Sequence, residues 1–319
     1  MGVKSFLFGQ SGIAKRLQGE VVRLKGANAE LKGRVAELKA RPVRRPLDSV
    51  AEHETALKGA LEGLVGEAKW AKAVPGWPEM AGRVGTAVSE CDIMLVKSNA
   101  VAYAEVGLSA LGCVHQALVA AGNRVPGRIL DFGCGYGRVL RFLRAAYPAA
   151  EVYCTDMDGE GLGFCTHWFD VFGFRTDLER GPEWVAARFD VIWVGSVFTH
   201  LDVPNCDRLL KHLAAFLAPG GVVVFTTHGE YAVRMMRNGS VAYRLEREVL
   251  GEIVAECERT GHGYADYPGW PGYGVSATTT AWVDGMIGRA GLVRRLHLLA
   301  GWAAHQDVFV AQAPDSSVA

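Results

Sequence analysis

An aspartate and three glycines stand together in the stretch LDFGCGYGRV: Asp131, Gly133, Gly135 and Gly137. Glycines two apart, directly after a short apolar run, let a ligand approach the backbone closely at the carboxyl end of a strand. A carboxylate in front of them opposes a phosphate and suits a cation. A second acid, Asp156, closes the next apolar run, EVYCTD, where it can accept hydrogen bonds from two ribose hydroxyls. The implied ligand is a nucleoside that carries positive charge and no phosphate. Arg138 fills the place of the last glycine in GxGxxG, so together with Asp131 it disfavours a nicotinamide dinucleotide.

Two histidines end apolar runs farther along the chain. His200 follows FDVIWVGSVFT and His228 follows GGVVVFTT. An imidazole titrates near neutral pH and can take the proton of a hydroxyl acceptor. Each also has an ordinary reading, His200 as the start of a helix and His228 as the polar stop of a strand. The segment GHGYADYPGWPGYG, residues 261–274, reads as a loop. Its Tyr264, Tyr267, Trp270 and Tyr273 present rigid rings with polar tips, suited to a sugar or planar acceptor. His305 reads as structural. No cluster of His, Cys and Asp has metal-ligand spacing, so no metal is expected.

The elements that must position these residues alternate. Strands are expected at 128–130, 151–156, 172–177, 189–196 and 220–228, with helices at 137–147, 159–170 and 206–218. Strands separated by helices imply right-handed crossovers and a parallel sheet covered on both faces. Two more strands, 292–299 and 306–312, follow one another without a helix and are expected to be antiparallel. Before the first strand the pattern is helical, interrupted by the turn VPGWPEM at residues 74–80.

The first forty residues differ in kind. Leu17, Leu24, Leu31 and Leu38 recur every seventh residue, with Val21, Asn28 and Val35 between them. Valine at a, leucine at d and one asparagine at a favour a two-stranded parallel coiled coil. A homodimer through residues 13–40 is therefore expected, although Gly19, Gly26 and Gly33 weaken the helix. An amphipathic helix packed on its own domain is the other reading. The expected organisation is a coiled-coil helix over 1–45, a helical linker over 46–98, a main domain over 99–314 with an aromatic insertion at about 230–280, and a tail at 315–319.

Lys and Arg together number 34, as do Asp and Glu, so the net charge of zero removes any whole-chain attraction to nucleic acid or acidic membranes. No apolar run is long enough to span a bilayer. The seven cysteines form no CxxC pair, and several lie in apolar runs, which suggests buried thiols in a reducing cytoplasm.

On these motifs the chain resembles the class I S-adenosylmethionine-dependent methyltransferases. LDFGCGYGRV is similar to the family's first motif, FDVIWVGSVFTHL at 189–201 to its fourth-strand motif, and FLAPGGVVVFTTHG at 216–229 to its Pro-Gly-Gly turn into the fifth strand. The resemblance covers the chain from about Ala100 to Pro314. It implies an α/β fold: a doubly wound, Rossmann-like sheet of seven strands in the order 3-2-1-4-5-7-6, strand seven antiparallel, behind the N-terminal helical extension. It implies S-adenosylmethionine as cofactor, with Asp131, Gly133, Gly135, Gly137, Asp156, Met157 and Ser196 around it and Met157 against the adenine. The implied reaction moves a methyl group to a hydroxyl of a sugar-type or other small-molecule or glycan acceptor. His228 or His200 would be the base. An amine acceptor, and a non-catalytic cofactor-binding scaffold dimerised by its N-terminal helix, stay open as alternatives.

Overall fold

A computed structural model describes residues 50–97, 99–176 and 187–314. The expected coiled coil, and the dimer through residues 13–40, lie outside the described residues. The strands are β1 (Arg128–Phe132), β2 (Glu151–Asp156), β3 (Phe172–Arg175), β4 (Phe189–Val194), β5 (Leu217–Thr227), β6 (His262–Tyr267), β7 (Trp270–Thr278), β8 (Val293–Trp302) and β9 (Gln306–Gln312). Among the described residues seven of them form one sheet in the order β3-β2-β1-β4-β5-β9-β8. The first five run parallel, and β9 is antiparallel to both β5 and β8. This is the expected order; the β6–β7 hairpin, a sheet of its own, shifts the numbers of the last two strands.

The central strands are apolar at successive positions because helices cover both faces. Ile129, Val191, Trp193, Val222 and Val224 face one layer, whereas Leu130, Ile192, Val223 and Phe225 face the other. The first layer holds α1 (Val50–Val65), α2 (Ala68–Ala73), α3 (Trp77–Ala81), α4 (Ile93–Lys97), α5 (Ala100–Ala120), α6 (Leu140–Ala146) and α7 (Gly159–Trp168). Leu57, Leu61 and Leu64 of α1 and Trp77 of α3 share a core with Leu108 of α5 and Phe142 of α6. The second layer is built on α8 (Val203–Ala215), with α11 (Thr280–Arg289) beside it. Between them in sequence, α9 (Glu230–Asn238) and α10 (Arg247–Thr260) join the β6–β7 hairpin around a third core of Val233, Met236, Ile253, Val254, Val275 and Ala277.

Most of residues 261–274 are therefore the two strands β6 and β7, joined by a turn at 268–269, rather than the expected loop. Two of their glycines serve close approach, whereas Gly269 and Gly272 take positive φ with open space above them. A Cβ on Gly263 would stand 1.9 Å from the Ile253 carbonyl oxygen, and one on Gly274 1.9 Å from that of Ala265. Glycine lets α10 and the partner strand press against this backbone.

One buried cation ties the helical layer to the glycine loop. Arg141 is 1% exposed. Its Nε donates to the Gly137 carbonyl at 3.0 Å, and its Nη1 to those of Gly85 and Ala87, both at 3.0 Å. Its Nη2 reaches the Tyr136 carbonyl at 3.2 Å and the Tyr103 hydroxyl at 3.3 Å. Tyr103 in turn donates to Asp92 at 2.6 Å. Replacing the guanidinium strands several acceptors at once, each costing about 1–3 kcal/mol if water does not reach it. Arg141→Met is expected to lower unfolding free energy by about 3 kcal/mol or more, read from urea denaturation. A loss under about 1 kcal/mol would show that these carbonyls do not depend on it.

Candidate active site

The carboxyl ends of β1, β2, β4 and β5 meet at one edge, and the predicted residues collect there. After β1 the chain makes a tight loop in which Gly133, Gly135 and Gly137 have φ of 80°, 51° and 79°. The left-handed region explains why no side chain is tolerated. Around two of them space is also filled: a Cβ on Gly133 would meet Val197 at 2.8 Å, and one on Gly137 would meet Phe169 at 2.5 Å. Over Gly135 nothing lies within 4 Å. That opening is where a ligand can rest on bare backbone.

Asp156 locks the same loop. One carboxylate oxygen accepts the Gly135 N–H at 2.7 Å and the other accepts the Asp158 N–H at 2.8 Å. The side chain is partly exposed, so outward lone pairs are left for ribose hydroxyls. Met157, next along, is 71% exposed at the same rim. Asp131 sits beneath the loop, 2% exposed. Burial, with the nearby Cys154 and Asp156, pushes its carboxyl well above the usual range. Its Oδ2 is buried without a hydrogen-bond partner among the described residues. An orphaned buried oxygen favours a cationic neighbour. These residues fit the nucleoside and the positive end of S-adenosylmethionine.

Ser196, two residues beyond β4, has φ 60°, and its N–H donates to Thr226 Oγ1 at 2.7 Å. Gln306 of β9 donates to its hydroxyl at 3.0 Å and accepts from the Thr226 hydroxyl at 2.6 Å, which links the segment after β4 to β5 and β9. Arg138 does not reach the open face; its guanidinium lies over the rings of Tyr103 and Trp302.

The two histidines share one device. Nδ1 of His200 lies 2.7 Å from the Gly274 carbonyl oxygen, and Nδ1 of His228 lies 3.0 Å from that of Ser276. A carbonyl only accepts, so both Nδ1 atoms carry the proton and both Nε2 atoms hold a lone pair. Strand β7 thus sets both tautomers from carbonyls two residues apart. The surroundings differ. His200 is half-buried, and burial lowers its pKa below the ordinary imidazole value, against the Gly274 bond. His228 is 3% exposed, and burial lowers it to about 3, with the nearby His305 and His200 adding to the effect.

A family model for a methyltransferase domain matches residues 111–262, which hold the glycine loop, Asp156 and both histidines. Over these residues, just under half of its length, the chain is a class I S-adenosylmethionine-dependent methyltransferase domain. S-adenosylmethionine is the cofactor that goes with this family. This methyltransferase is 29% identical over 182 residues to a trans-aconitate 2-methyltransferase of Methylobacterium nodulans, covering 53% of this chain and 66% of that one. It is 29% identical over 199 residues to a malonyl-[acyl-carrier protein] O-methyltransferase of Pseudescherichia vulneris, covering 58% of this chain and 71% of that one. A solved structure of an O-methyltransferase family protein from Burkholderia thailandensis superposes at a TM-score of 0.45 with 16% identity, covering 84% of this chain and 72% of that one. No helix among the described residues is long and apolar enough to cross a membrane.

In this methyltransferase the fold brings together two of the four expected acceptor aromatics. Tyr273 stacks on His200 at 4.8 Å, and Tyr267 lies 5.9 Å from His200 and 5.7 Å from Tyr273. Burial raises both phenols; for Tyr273 the charge of Asp156 adds to the rise, which ties it to the cofactor edge. Tyr264 and Trp270 stand apart from this group. Tyr264 donates to Asp266 at 2.6 Å, and Trp270 is 66% exposed at the hairpin tip. Two further residues that sequence reasoning had not placed at the site lie against His228. The Tyr243 ring is 4.6 Å from it and His305 is 5.6 Å from it, and the Tyr243 hydroxyl hydrogen-bonds His305 Nε2. No local signal marks either residue, because Tyr243 lies between α9 and α10 and His305 in the β8–β9 turn.

Proposed function

We propose that this chain transfers a methyl group from S-adenosylmethionine to an oxygen of a small-molecule acceptor, first of all a sugar-type hydroxyl. When bound, the cofactor supplies a methyl group on positively charged sulfur. Asp156 and the open face of Gly135 would hold its nucleoside, and Asp131 would favour its positive end. The chain must then hold the acceptor oxygen in line behind the methyl carbon, roughly 3 Å away, and this positioning supplies much of the acceleration.

His200 carries the reading. Its Nδ1 is fixed by Gly274, its ring is packed on Tyr273, and Tyr273 lies within the field of Asp156. An imidazole lone pair and the ribose acid therefore serve one edge. His200 Nε2 takes the hydroxyl proton as the oxygen gains the methyl group. His228 suits that role less well, since it must become an imidazolium where burial holds its pKa at about 3. It is better placed to accept a hydrogen bond that orients the acceptor.

A carboxylate acceptor is the second reading, and the relatives favour it: trans-aconitate and malonyl groups both carry carboxylates. A carboxylate oxygen needs no base. The two readings differ in the stability of the product. Label from tritiated methyl groups is expected to stay on the acceptor after alkali, as in a methyl ether. Release as volatile methanol would show an ester and replace the hydroxyl reading with the carboxylate one.

A further inference from the structure

We infer that Arg138 binds the carboxylate at the amino-acid end of the cofactor, beside the ammonium that Asp131 favours. The inference rests on S-adenosylmethionine being the cofactor and not on which acceptor is methylated. Arg138 directly follows the glycine loop and is half-buried. Its guanidinium carbon lies 5.8 Å from the centre of the Tyr103 ring and 6.0 Å from that of Trp302. Among the described residues none accepts a hydrogen bond from it or forms an ion pair with it. Aromatic faces attract a cation but do not replace oxygens for its N–H groups.

Arg141, three positions on, shows that oxygens are at hand in this region. Its guanidinium lies over the same Tyr103 ring at 5.5 Å, yet each of its nitrogens donates to an oxygen, of Gly137, Gly85, Ala87, Tyr136 or Tyr103. Arg138 is left with its N–H groups unused. A cation drawn out of water without oxygens to meet it is costly. Burial accordingly lowers its pKa, against the nearby Tyr103 and Asp92. An anion that docks there offsets the cost.

The place is one that takes ligands. Trp302 packs on Trp193 of β4, with ring centres 5.5 Å apart, and a Cβ on Gly195, directly after β4, would stand 3.1 Å from the Trp302 ring. The Arg138 guanidinium therefore lies by the carboxyl ends of β1 and β4. These neighbours in the sheet lead to β2 on one side and β5 on the other, and open α/β sheets bind ligands at such a reversal. Asp131 of β1 adds a buried Oδ2 without a partner among the described residues. One unmatched cation and one unmatched carboxylate oxygen, seven residues apart across the same loop, call for a zwitterion. The amino-acid end of S-adenosylmethionine is one. The planar fork of a guanidinium matches the two oxygens of its carboxylate.

The test is calorimetry of the full chain with three ligands that share one nucleoside. S-adenosylhomocysteine carries both charged groups, its decarboxylated analogue keeps only the ammonium, and methylthioadenosine has neither. Arg138→Gln is expected to weaken S-adenosylhomocysteine by about tenfold or more and to leave the other two unchanged, and Arg138→Lys should lose less. Equal affinity of wild type and Arg138→Gln for S-adenosylhomocysteine overturns the inference and leaves Arg138 as a cation packed on two rings. A similar loss for all three ligands also overturns it, since that is the mark of a disturbed loop. A wild-type chain that binds none of the three strikes the cofactor reading itself, and the inference falls with it.

Discussion

Asp156→Ala is expected to weaken S-adenosylmethionine binding by a hundredfold or more, about 3 kcal/mol. Two losses combine. The ribose hydroxyls lose a charged acceptor, worth about 1.5–3 kcal/mol. The glycine loop also loses its lock, because the carboxylate accepts the Gly135 and Asp158 N–H groups at 2.7 and 2.8 Å. Asp156→Asn should be nearly as severe. Both oxygens already accept a backbone N–H, so an amide must turn its NH2 toward one of the two donors. Isothermal titration with S-adenosylmethionine and S-adenosylhomocysteine measures the effect directly. Unchanged affinity in both variants would mean that binding depends neither on Asp156 as a ribose acceptor nor on its hold on the loop.

The second large effect separates the histidines. His200→Ala should lower turnover by about 10²–10⁴ with cofactor affinity kept, the range for loss of a positioned base. A base works only while neutral. The pKa of His200 is lowered by burial, so its neutral form persists below the ordinary imidazole value of about 6.5. The rate kcat/KM should then be level through neutral pH and fall as pH drops through the lowered pKa. In His200→Ala that acid limb should vanish along with most of the rate. His228→Ala should raise KM more than it lowers kcat. If the acid limb survives in His200→Ala and disappears in His228→Ala, the two roles are exchanged. Full turnover in both variants would leave no histidine base.

How much was legible beforehand follows the range of the interactions. The glycine loop could be read from LDFGCGYG because positive φ at Gly133, Gly135 and Gly137 is a local demand that glycine alone meets freely. The parallel strands could be read because burial on both faces leaves unbroken apolar runs such as VVVF in β5. The aromatic hairpin was misjudged as a loop for the opposite reason. Gly263 and Gly274 look like flexibility in the sequence, yet they are glycine because carbonyls of α10 and β6 press on them from residues 10 and 9 positions away.

Sequence by itself determined the sheet, the family and its cofactor, and it marked the residues gathered at the carboxyl edge as candidates, since each depends on a residue type at a fixed step from a strand end. Only the tertiary structure decided which of these residues meet. It set both histidine tautomers through carbonyls of β7, placed Tyr267 and Tyr273 at His200 while leaving Trp270 outside, and buried His228 deeply enough to keep it neutral. It also drew Tyr243 and His305, 62 residues apart, into one hydrogen bond beside His228. Such pairings join segments whose separation carries no periodicity. Their energy comes from packing and desolvation, which exist only once the chain has closed on itself.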